Sequence, residues 1–98
     1  MTKEIKIGVV SSCVSDFRIY VKDAFDRMPN GSVITLSPTL NPNTITLTMP
    51  NGEKTKYFLI QYIEDALAIE IDGAFICENI AGKGEWSNLY ELAKQRIR

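Results

Sequence analysis

The chain has 98 residues, enough for one domain of ordinary size and little more. Apolar residues make up 45% and charged residues 23%, with a net charge of −1, which excludes a disordered chain and the strongly basic surface of a general nucleic-acid binder. Histidine is absent, so every mechanism that needs an imidazole base, an imidazole metal ligand or a neutral-pH switch is excluded.

Lys6-Ile7-Gly8-Val9-Val10-Ser11-Ser12 reads as a buried first strand that ends in a small polar loop. From Val14 the apolar positions 14, 17, 21, 24, 25 and 28 mark one face of a helix, with Ser15 or Asp16 as its N-cap and Met28-Pro29-Asn30-Gly31 as its stop. Ser32 to Leu36 predicts a second strand, and the loop from Ser37 to Asn43 carries Pro38 and Pro42, which cannot donate to a ladder. Thr44 to Met49 alternates, Pro50-Asn51-Gly52-Glu53 has turn chemistry, and Thr55 to Gln61 resumes as a strand, so a hairpin is expected. Its first strand shows a row of threonines, Thr44, Thr46 and Thr48, opposite Ile45, Leu47 and Met49.

Residues 62–67 fit a helical turn or a loop equally well. Ile69 to Cys77 reads as the central strand of the core, and Ala81-Gly82-Lys83-Gly84 as a loop. A last helix is expected from near Ser87, with Trp86, Leu89 or Tyr90, Ala93 and Ile97 on one face and Lys94, Arg96 and Arg98 at its end. Ile, Val and Thr outnumber Leu by 24 to 7, an excess of side chains branched at Cβ that favours sheet. The prediction is one α/β domain over residues 1–98: a single-layer mixed sheet of about five strands with one hairpin and helices packed on it.

The start, Met1 to Lys6, lacks the apolar stretch of a secretory signal, and no run nears the ~18 apolar residues of a membrane span, so a cytoplasmic protein without membrane contact is expected. Cys13 and Cys77 have no metal-like spacing and are expected as free, packed thiols.

Each catalytic motif tested falls short of a required residue. Gly82-Lys83 has Cys77 where a phosphate loop needs its first glycine and Gly84 where it needs Ser or Thr. Cys13 is followed by an arginine, Arg18, one position too early for the cysteine phosphatase loop, whose guanidinium must fork onto the cradled phosphate. Glu70, Asp72 and Glu78 could bring carboxylates to one strand face, but the lysine expected two positions after a nuclease acid is replaced by Ile80. The aromatic residues follow core faces instead of alternating with Lys and Arg, which argues against a stacking platform for single strands.

In order, Ile7-Gly8-Val9-Val10-Ser11-Ser12, then Asn51-Gly52-Glu53-Lys54, then Ile71 to Asn79 resemble the middle of a phosphate-loop ATPase core of the phage terminase or helicase type. In that family an Asp-Glu pair closes a strand, the Asp holding Mg²⁺ through water and the Glu activating the hydrolytic water. Cys77 and Glu78 stand at those positions here, and only Met1 to Glu4 precede the first strand. The resemblance implies a cut-down relative unable to hydrolyse ATP, of the kind found among small accessory proteins of phages.

The function expected from these residues is contact without catalysis: a module that binds a protein partner or a second copy of itself, with no cofactor and no metal. Two surfaces are expected to carry it. One is the Thr44–Thr48 strand at a sheet edge. The other is an acidic segment holding Glu64, Asp65, Glu70, Asp72, Glu78 and Glu85 against Lys83 alone, with Trp86 as an anchor. The alternative is a binder of, or enzyme for, a phosphorylated small molecule or nucleotide, held by the amides of Ser11, Ser12 and Cys13 with Arg18 as the cation.

Overall fold

A computed structural model describes residues 3–37 and 44–97. The two prolines of the loop expected after the second strand therefore lie outside the described residues. Five strands, β1 (Glu4–Val10), β2 (Val33–Ser37), β3 (Thr44–Thr48), β4 (Lys54–Ile60) and β5 (Gly73–Ile76), form one mixed sheet in the order β2-β3-β4-β1-β5. Three helices pack on it: α1 (Val14–Asp26), α2 (Ile63–Leu67) and α3 (Gly84–Lys94). None of the helices among the described residues is long and apolar enough to cross a membrane.

β1 pairs in parallel with β4 on one side and β5 on the other, while β3 runs antiparallel to both its neighbours. Strand β1 is therefore the centre of the parallel part, and the segment expected to be central ends as the edge strand β5. That segment breaks before Gly73, and Ile71 forms instead a single bridge to Ile97 behind α3. The Thr44–Thr48 strand is corrected in the opposite direction. It lies inside the sheet between β2 and β4, and the outer edge on that side is β2.

Both faces of β1 are covered, since Val9 and Val10 point to opposite faces and neither is exposed. The chain leaves β1 toward β2 and leaves β4 toward β5, in opposite directions along the sheet. Right-handed crossovers then put α1 on one face and α2 on the other, and α3, which follows β5, packs beside α2. α1 lies on the face of Tyr57 and Phe75, where the Tyr20 ring meets both at centroid distances of 6.3 and 6.0 Å. On the second face a Cβ at Gly8 would stand 2.7 Å from Ile60 Cδ1 and 3.0 Å from Ile71 Cδ1, so a larger residue there would have to displace the tips of these two side chains.

Local chemistry sets the element ends. Cys13, not Ser15 or Asp16, is the N-cap of α1, and its Sγ accepts from the Asp16 amide at 3.5 Å. The β3–β4 turn closes with Gly52 N donating to Met49 O at 2.9 Å, with Pro50 and Asn51 between them and Gly52 at φ +93°. α3 begins at Gly84, ahead of the expected start near Ser87, and carries Glu85 in its first turn, where an anion suits the helix dipole.

Burial raises the Tyr57 and Tyr20 phenols above their ordinary value of 10.0, and Tyr57 adds to the effect at Tyr20. Each holds its proton more tightly folded than unfolded. The stability this contributes is complete below the unfolded value and is lost as pH rises through the raised folded values. Thermal midpoints should therefore fall as pH rises past about 10, and Tyr57→Phe should flatten the fall; equal slopes for variant and wild type would remove this account.

Candidate functional site

Three regions gather the residues singled out in the sequence. The first is the carboxyl end of the parallel strands, the place where open α/β sheets hold ligands. Ser11 is fully buried; its amide donates to Ile60 O at 3.2 Å and its hydroxyl to Cys13 O at 2.9 Å. The Gln61 side-chain amide donates to Ser12 O at 3.0 Å, bridging the loops after β1 and β4. Asn79 Nδ2 donates to Asp16 Oδ2 at 2.9 Å, which ties the turn after β5 to the first turn of α1. Ser11, Ser12 and Cys13 are thus brought together, with the Ser11 amide and hydroxyl, the Ser12 carbonyl and the Cys13 thiol engaged within the loop and with its neighbours.

Arg18 is exposed on α1, and among the described residues no hydrogen bond or ion pair ties it to this loop. Cys77 follows β5 and lies beside Ser11, because its amide donates to Val10 O at 3.0 Å. Burial pushes its thiol up from 9.0, against the opposing influence of the neighbouring Ser11 hydroxyl, so it is kept protonated at neutral pH.

The second region is the acidic segment, which the fold divides. Asp65 is a correction to the expected surface. It is 7% exposed, and its Oδ2 accepts from the amides of Gln61 at 3.0 Å and Tyr62 at 3.1 Å, so it starts α2 and is withdrawn from contact. Asp72 accepts from the Lys6 amide at 2.9 Å while its own amide donates to Lys6 O at 2.7 Å, which moors the chain ahead of β5. Glu70 and Asp72 precede β5 and Glu78 follows it. β5 covers only Gly73–Ile76, so Glu70, Asp72 and Glu78 all lie outside it and do not share the face of one continuous strand.

Glu64 and Glu85 are the acids that line one common site. Both line a groove of 600 Å³ between α2 and α3, together with Tyr62, Ile63, Trp86 and Leu89. Trp86 is half-buried and packs against the core cluster with one wall of the groove beside it. The groove itself was not readable from the sequence, because α2 is a five-residue helix with no periodic signal of its own.

The third region is the outer edge of the sheet. On β2, Val33, Ile34 and Leu36 are 55%, 40% and 54% exposed. The register places Ile34 beside Leu47 and Leu36 beside Ile45, both buried under α1, so the apolar face runs on past the helix to the rim.

No protein-family model, no curated protein and no solved structure matches this chain.

Proposed function

We propose that this protein is a non-enzymatic α/β interaction module whose first contact is with a second copy of itself, strand to strand along β2. The observation that supports this reading is the composition of that edge. Proteins blunt free edges with lysine, proline or bulges, and Val33-Ile34-Thr35-Leu36-Ser37 has no charge and no proline. Two copies pairing antiparallel about Thr35 place Ile34 opposite the partner's Leu36, and Leu36 opposite the partner's Ile34. The apolar strip at the rim is then covered twice by one symmetric contact, and the unpaired backbone groups of both edges are satisfied.

Size-exclusion chromatography with light scattering should give twice the chain mass of 11.0 kDa as concentration rises. Ile34→Lys and Leu36→Lys, at exposed positions, should return the monomer with an unchanged circular dichroism spectrum. A monomer at every concentration, or a dimer indifferent to either lysine, would overturn the reading.

A further inference from the structure

We infer that the groove between α2 and α3 seats an amphipathic protein segment that carries apolar side chains flanked by lysine or arginine. This goes beyond the β2 contact and uses a different surface. Three observations converge on it. The walls are mainly apolar, with Tyr62, Ile63, Trp86, Leu89 and Leu92 meeting in a volume of 600 Å³, within the roughly 300–1,000 Å³ of recognised binding clefts. The charged residues lining it are Glu64 and Glu85, one on each helix, so both rims attract the same sign.

The third observation sets the size of the occupant. Ile63 and Leu67, four apart on α2, are both exposed and continue the apolar wall along the helix beyond the cleft. A small molecule filling the groove would leave Leu67 bare, whereas a helix lying along α2 covers the whole stripe, as in helix-in-groove recognition. Trp86, half-buried at the wall, is the aromatic anchor such a segment meets.

Trp86 is the single tryptophan of the chain, so its emission reports on this site alone. The full chain carrying Ile34→Lys is titrated with a short peptide of leucine and lysine spaced for one amphipathic helix; this variant separates the result from pairing along β2. The emission should shift to the blue and saturate, and the affinity should weaken as salt shortens the screening length from about 10 Å at 0.1 M to about 3 Å at 1 M. Glu64→Lys with Glu85→Lys should weaken the peptide by about tenfold or more and admit a leucine–glutamate peptide instead, and Glu64→Gln with Glu85→Gln should fall between. Circular dichroism of each variant confirms that α3 is retained.

Three results would overturn the inference. One is wild-type binding of the leucine–glutamate peptide as tight as that of the leucine–lysine peptide. Another is an emission unmoved by the leucine–lysine peptide. The last is an equal shift produced by a simple alkylammonium ion, which would make the occupant a small cationic amphiphile.

Discussion

Phe17→Ala should lower the unfolding free energy by about 3–5 kcal/mol, the cost of emptying a buried aromatic site that closes only in part. Phe17 is fully buried on α1 and shares the core with Val9, Val21 and Leu59, so its ring is the main wedge between the helix and the sheet. Domains of this kind hold about 5–15 kcal/mol in all, and the variant should sit close to the limit of folding. Urea denaturation should show the midpoint falling with the slope unchanged. Ile19, two residues on and 66% exposed, provides the control: its replacement by alanine should stay within about 0.5 kcal/mol. A loss below about 1 kcal/mol at Phe17 would mean that α1 is not docked as described.

Asp65→Ala should cost about 1.5–3 kcal/mol, the range for hydrogen bonds to a charged group whose loss strands their donors. One carboxylate oxygen serves both the Gln61 and Tyr62 amides, and α2 has only five residues with which to hold itself together. The effect should spread to the groove, because Tyr62, Ile63 and Glu64 form its α2 wall. Asp65→Asn keeps an acceptor oxygen and should recover part of the loss. Glu64→Ala, one residue away and exposed, should be nearly neutral for stability while weakening a cationic peptide, which separates the structural acid from the contact acid. Chemical denaturation and the Trp86 titration together read both effects.

These two neighbouring acids show what sequence pattern can and cannot settle. Asp65 and Glu64 look alike in an acidic run, and only the path of Gln61 and Tyr62 out of β4 decides that one carboxylate turns inward. Trp86 and Glu85 were visible as an aromatic residue and a charge beside a glycine loop. Their place in one groove with Glu64 required α2 and α3 to pack side by side. The loop after β1 was visible as polar and small, yet its hydrogen bonds run to Ile60 and Gln61, residues far along the chain.

By itself the sequence determined the strands and the two longer helices, but not the five-residue α2. The apolar spacing of Val14, Phe17 and Val21 marks α1, the alternation of β3 and β4 around Pro50-Asn51-Gly52 marks a hairpin, and the branched side chains mark a sheet. Periodicity is a property of neighbours in the chain, and it survives without knowledge of the fold. Strand order is set by long-range pairing, and there only the tertiary structure decides. β3 looks like an edge because its threonine row faces the side where β4 carries Lys54 and Lys56, and β5 looks central because its flanking apolar residues pack behind α3. The open rim on β2 and the cleft between α2 and α3 follow from that order, since a strand or helix is exposed by what fails to lie beside it.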